Sequence, residues 1–357
     1  MSPEELRAAF PVFEHVAYLN AGTCGPVPRA AVEAARAELV DLAERGRAGA
    51  HFERLLEARS RLRAAYASRV RARVEDVAIT TSTSEGMARV IGGLDLGRGD
   101  EIVTSDEEHP GLYGALIGAR ERHGVRVRSV ALQDVADAIG PDTKLVACSH
   151  VGWVSGTLAP AELAEANVPV LLDGAQGAGA VPVDVGALGC AFYAAAGQKW
   201  LCGPIGTGLL YVAPEMRERL HPTSVGYLNL VDPEHDLDAS PHSDARAHDT
   251  AGLSVEAAAF ALDAHAALDA LGWDAVHERA IGLAARLADA LRERGRTVAP
   301  RAVTTLVAWE DDDALAARER LVAAGIIIRS LPGRPLLRAS VGAWNDEGDL
   351  ERLLEQL

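Results

Sequence analysis

The chain has 357 residues, 48% of them hydrophobic and 24% charged, with a formal net charge of −16. That length exceeds one small core and suits two α/β domains, or one large domain with an appendage, and the composition is that of an ordinary soluble globular enzyme. The acidity argues against nucleic acid as the main partner, because phosphates would be repelled, and no apolar run of about eighteen residues is present to span a bilayer.

In chain order, the opening Met1-Ser2-Pro3-Glu4-Glu5 lacks the basic-then-apolar design of a secretion signal. Two amphipathic helices are expected over 30–45 and 52–69. From about residue 75 to 213, short strands alternate with helical stretches: 77–81, 101–105, 125–132, 145–149, 168–173, 191–195 and 208–212. Several of these are continuous apolar runs, the pattern of strands covered by helices on both faces. The alternation predicts a doubly wound, mostly parallel sheet. Such sheets bind ligands at the carboxyl ends of their strands, so chemistry is sought just after each one. A polar loop follows at 232–249, then helices at 254–271 and 273–294. The tail reads strand, helix, strand, strand, helix (304–309, 313–324, 326–329, 336–340, 346–357), a smaller α+β unit. The expected division is a large domain over 1–250 and a small one over 251–357. Cys24, Cys148, Cys190 and Cys202 are far apart and form no C-x-x-C pair. They suggest neither a zinc site nor a disulfide framework, and a reduced, cytoplasmic compartment is expected.

Among 35 basic residues, only Lys144 and Lys199 are lysine. Where a surface needs positive charge this sequence uses arginine. A lysine kept against that bias points to chemistry that guanidinium cannot do, since an amine can shed its proton and act as a nucleophile. Lys144, in the polar turn Gly140-Pro141-Asp142-Thr143, reads as a surface residue. Lys199 lies in the glycine-rich segment 194–208, after an apolar strand. Asp173 ends the preceding apolar run, in Leu-Leu-Asp-Gly-Ala-Gln. On its own, this carboxylate reads equally as a turn residue or as a charge aimed into the ligand crevice. An aspartate beside a nucleophilic lysine on adjacent strand ends is what pyridoxal phosphate requires: the lysine holds the aldehyde as an imine, and the aspartate keeps the pyridine nitrogen protonated.

The segment 171–212, with Asp-Gly-Ala-Gln, Gln-Lys and Gly-Thr-Gly-Leu-Leu-Tyr-Val, resembles the class V aminotransferase family of cysteine desulfurases, isopenicillin N epimerase-like proteins and C–S lyases. The resemblance runs from Tyr18-Leu19-Asn20-Ala21-Gly22 to Leu337-Arg338-Ala339-Ser340 and the closing helix. It implies a fold-type-I pyridoxal phosphate enzyme, homodimeric, acting on an amino acid through an α-carbanion. Lys199 would be the Schiff-base lysine, Asp173 the pyridinium partner, and Gln176 a neighbour of the phenolic oxygen, with Gln198 beside the lysine. His109, in Asp-Glu-Glu-His-Pro, would stack on the ring. Thr83 and Ser84 would bind phosphate, and an anion at a helix N-terminus makes physical sense without any resemblance, although an N-cap explains the same Ser/Thr cluster. Arg338 would clamp the substrate carboxylate bidentately, with Asn20, Ala21, Gly22 and Arg329 in the same pocket.

Four departures from the family pattern stand out. Gln198 replaces a frequent His and Ala196 a frequent Ser. Trp153 occupies a position often held by Asn. The segment that lends a phosphate ligand across the dimer appears only as Ala247-His248-Asp249-Thr250-Ala251-Gly252, where Thr250 would substitute. Most consequentially, 329–338 is short and holds no cysteine, so conventional sulfur relay through a late thiolate is not expected. Transamination is the expected reaction, with β-elimination and epimerisation as alternatives that start from the same carbanion.

Overall fold

The computed structural model describes residues 1–357. It opens with α1 (Pro3–Ala8), β1 (Ala17–Tyr18), α2 (Arg29–Arg45) and α3 (Gly49–Arg69). The central block follows: β2 (Val77–Thr80), α4 (Thr83–Gly93), β3 (Glu101–Ser105), α5 (Pro110–His123), β4 (Arg126–Val130), β5 (Thr143–Ser149), β6 (Val170–Asp173), β7 (Phe192–Ala196) and β8 (Gly208–Val212). After it come α6 (Val255–Asp269), α7 (Trp273–Glu293), β9 (Leu306–Glu310), α8 (Ala314–Ala323), β10 (Ile326–Ile327), β11 (Arg329–Ser330), β12 (Leu336–Ser340) and α9 (Glu347–Leu354).

The seven central strands form one sheet in the order β2-β8-β7-β6-β5-β3-β4. Every pair from β7 to β4 is parallel, while β8 runs antiparallel to both β7 and β2. The direction of β8 has a local cause. The glycine-rich connection between β7 and β8 is too short for a helical crossover, so the chain turns back beside the strand it has just left. That reversal places Lys199 at the carboxyl end of β7. Its neighbour β6 ends at Asp173, in register with Ala194. Since β2, β3, β5, β6 and β7 all point one way, the segments after them meet along a single sheet edge. The apolar runs are explained by burial: β2, β6, β7 and β8 are buried at every position. The edge strand β4, Arg-Val-Arg-Ser-Val, has no buried residue.

The expected strand over 326–329 divides in two. Ile326–Ile327 pair in parallel with β1, whereas Arg329–Ser330 pair with β12 in the antiparallel sheet β11-β12-β9. Lys144 lies within β5 rather than in the turn before it, and it is exposed. Side chains gather into a larger apolar cluster of 65 buried residues and a smaller one of 19. Ala258, Ala261 and Ala264 of α6 belong to the larger cluster, and Ala17 and Leu19 near the N-terminus belong to the smaller. A division after residue 250 stands as a proposal; the packing carries α6 with the large sheet and ties β1 to the C-terminal unit. No helix is long and apolar enough to cross a membrane.

Candidate active site

At the shared strand edge lies a cavity of about 230 Å³ lined by Gly22, Thr23, Ser82, Thr83, Ser84, Met87, His109, Trp153, Asp173, Ala175, Gln176, Ala196, Gln198, Lys199 and Arg329. Strands β2, β3, β5, β6 and β7 contribute at or just after their carboxyl ends. After β2, Ser82 caps α4 by accepting from Glu85 N at 3.1 Å, which leaves the helix N-terminus facing the cavity. Thr83 Oγ1 there is buried without a partner. After β3, His109 caps α5, its Nδ1 accepting from Gly111 N at 3.1 Å. After β6, Asp173 Oδ1 accepts from Ala175 N at 2.9 Å.

Charge is set by burial. Desolvation lowers the Lys199 amine to about 8, with Asp173 opposing and Arg338 and Arg329 assisting. Asp173 is raised by burial, against the pull of Lys199 and the Ala175 N–H. His109 is lowered to about 4 by burial and then by Lys199, Arg329 and Arg338. It is therefore a neutral imidazole near pH 7, consistent with Nδ1 acting as an acceptor. Behind His109, the buried Glu108 accepts from Ser149 N at 2.8 Å and from the Ser149 hydroxyl at 2.7 Å, and desolvation raises its carboxyl to about 7.

The N-terminal loop closes the site by close backbone approach. Gly25 N donates to Gln198 O at 2.8 Å, and a Cβ on Gly25 would lie 2.1 Å from Lys199 O, so only glycine fits. A Cβ on Gly22 would meet Ser340 Oγ at 2.7 Å and both Arg338 Nη2 and Gln176 Oε1 at 2.9 Å. Gln176 is held at both ends of its amide: Nε2 donates to Gly22 O at 2.8 Å and Oε1 accepts from Trp200 Nε1 at 3.0 Å.

Of the residues expected from sequence, Lys199, Asp173, His109, Thr83, Ser84, Gln176, Gln198, Gly22 and Arg329 line this one cavity. Asn20, Ala21, Arg338 and Thr250 do not. Asn20 sits one layer back, bridging to Ser340 with Oδ1 accepting from Thr23 Oγ1, and Ala21 is core. Arg338 is fully buried behind Gly22; Nη1 donates to the Trp153 carbonyl, and Nε and Nη2 have no partner. Thr250 is held elsewhere, its N donating to Ile79 O at 2.7 Å and its carbonyl accepting from Arg59. Thr23 lines the cavity from the loop Gly22-Thr23-Cys24-Gly25; sequence reasoning missed Ser82 and the Glu108–Ser149 pair. Ser82 had a signal, as the cap just before Thr83; Glu108 had none. Cys24 is part-buried and the other three cysteines are buried; all four are free.

A doubly wound sheet with a lysine and an aspartate on adjacent strand ends, above a helix N-terminus, defines a pyridoxal phosphate enzyme of fold type I. A family model described as aminotransferase class-V matches residues 17–353, and the chain belongs to that family. It is 29% identical over 255 residues to a probable cysteine desulfurase of Methanothermobacter thermautotrophicus, covering 66% of this chain and 62% of that protein. It is 31% identical over 243 residues to isopenicillin N epimerase of Streptomyces clavuligerus, covering 63% and 60%. The match thus spans about three fifths of those relatives' length. Among solved structures, the cystine C–S lyase C-DES in complex with cysteine persulfide is similar, with a TM-score of 0.90 and 27% identity over 97% of this chain and 98% of that one. A C-DES variant with glycine covalently linked to its pyridoxal phosphate gives 0.90 and 27% over 98% of each chain.

The cofactor of this family is pyridoxal phosphate, and the residues present suit it. Thr83 Oγ1 and Gln198 Oε1 are buried polar atoms without partners beside the cavity. Lys199 and Asp173 supply the amine and the carboxylate, and the α4 N-terminus supplies N–H groups suited to a phosphate.

Proposed function

We propose that this chain transaminates an amino acid, with Lys199 carrying the proton to and from the α-carbon. Bound there, pyridoxal phosphate supplies an electron sink for the charge left when the α-proton departs. The observation that carries this reading is the meeting of Lys199, Asp173 and the α4 N-terminus in one cavity. A lysine lowered to about 8 by burial is partly unprotonated near neutral pH, so it can take a proton as well as give one. Asp173 would hold the proton on the ring nitrogen, the Ser82–Ser84 turn would hold the phosphate, and neutral His109 would cover the ring face without adding charge. Arg338, with two unpartnered nitrogens, and Arg329 would orient the carboxylate. The proposed assembly is a homodimer, with Thr250 offered to the partner's phosphate; a monomer mass by light scattering would remove that part.

A second reading is favoured by the near-complete superposition on a C–S lyase: β-elimination from a sulfur-bearing amino acid. No cysteine lines the cavity, so neither reading uses a protein thiol. The test is to incubate the holoenzyme with single amino acids, with and without a keto-acid acceptor, and assay amino-group transfer, pyruvate and sulfide. Acceptor-dependent transfer supports transamination, and acceptor-independent pyruvate with sulfide supports the second reading. Borohydride reduction followed by peptide mapping should place the cofactor on Lys199, and label on Lys144 alone would refute both. Replacing Cys24 and Cys202 together by alanine should leave turnover intact, and its loss with cofactor still bound would restore a desulfurase reading.

A further inference from the structure

Trp153 has the largest side chain lining the cavity, and the functional reading gives it no task. It sits in the turn after β5, and that turn is pinned from both halves of the molecule. Gly152 N donates to Thr157 O at 2.8 Å, and Ser155 Oγ donates to Glu107 Oε2 at 2.7 Å. From the C-terminal half, Thr304 Oγ1 donates to Gly156 O at 2.8 Å, and Arg338 Nη1 donates to the Trp153 carbonyl itself. The indole is fixed as well. It packs with Val154 and Leu331 in a small apolar cluster, and the His109 ring meets it edge-on at 5.4 Å and 82°. The Arg329 guanidinium lies 5.8 Å from its ring centroid.

Trp153 therefore touches both arginines that would hold a carboxylate, one through its carbonyl and one through its ring. A substrate anchored between those arginines and Lys199 has its remaining atoms beside this indole. The cavity is small, about 230 Å³, against roughly 300–1,000 Å³ for small-molecule pockets in general. The turn that carries the indole is held by four hydrogen bonds, one of them to the Trp153 carbonyl, and the ring itself is held by packing; such a wall does not swing aside cheaply, since close-packed interiors transmit strain rather than absorb it.

We propose that Trp153 is a specificity-determining residue that restricts this site to amino acids with short side chains. The inference rests on the amino-acid reading above. The holoenzyme and the variants Trp153→Phe and Trp153→Ala would be titrated with α-methylated amino acids whose side chains run from methyl to isobutyl. These bind but have no α-hydrogen to lose, and the change in cofactor absorbance reports occupancy. The wild type should weaken by about tenfold or more for each methylene beyond the fitting length, the scale on which tight pockets discriminate. Trp153→Ala should flatten that dependence and Trp153→Phe should fall between, both with cofactor content as in the wild type. The same length dependence in the wild type and Trp153→Ala would overturn the proposal, as would equal binding of all lengths by the wild type. A wild type that holds cofactor yet responds to no amino acid would instead overturn the amino-acid reading, and this inference with it.

Discussion

Replacing Arg338 by lysine keeps a cation and removes a planar fork. In the wild type the side chain is fully buried, Nη1 is committed to the Trp153 carbonyl, and Nε and Nη2 are free. Nη2 lies 2.9 Å from where a Cβ would stand on Gly22, which lines the cavity. In the proposed role a substrate carboxylate takes this free edge of the guanidinium past Gly22, whereas a lysine amine offers one point of contact. Losing one hydrogen bond to a charged group costs about 1.5–3 kcal/mol, which is about 10- to 150-fold in affinity. Burial adds a second effect. It lowers the Arg338 guanidinium to about 9, and an amine in the same hole starts from a lower value, so it sheds part of its charge near neutral pH. The assay is equilibrium titration of holoenzyme with its amino acid, alongside KM and kcat. KM and Kd should rise together at unchanged cofactor content, and the defect should shrink as pH falls and the amine recharges. Unchanged Kd and KM for every amino acid turned over would refute the reasoning and leave Arg338 only as a brace for the Trp153 turn.

Attachment of pyridoxal phosphate to the apo-protein should quicken as pH rises, with a midpoint near 8, because only the neutral Lys199 amine attacks and burial has lowered it to about that value; a midpoint above 10 in stopped-flow absorbance would mean the amine is not desolvated. Asp249 is buried and accepts from Arg59 Nη2 at 3.0 Å, from Arg63 Nη1 at 2.8 Å and Nη2 at 2.6 Å, and from Ile79 N at 2.9 Å. Asp249→Ala strands two buried guanidinium groups and should cost about 3–5 kcal/mol in chemical denaturation; an unchanged midpoint would mean that water reaches the pair.

The sequence by itself determined the sheet and its chemical centre. Apolar runs of β-branched and aliphatic residues with helical stretches between them define parallel strands, and a parallel sheet has one ligand-binding edge, so Lys199 and Asp173 stand out from their positions after strands, while His109 and Thr83 take their roles from the family resemblance. The lysine stood out because arginine had taken almost every other basic position. What only the tertiary structure decided depends on contacts between distant segments, which leave no periodicity. Nothing in Tyr18 or Ile327 announces that β1 pairs with β10, and one hydrophobic run over 326–329 serves two different sheets. Arg338 and Trp153 are 185 residues apart, and only their contact turns two ordinary residues into a wall beside the carboxylate site. Arg59 and Arg63 are indistinguishable in sequence from surface arginines on the same helix; their burial against Asp249 is set by the fold, because a buried charge is tolerated only where its partner arrives from elsewhere in the chain.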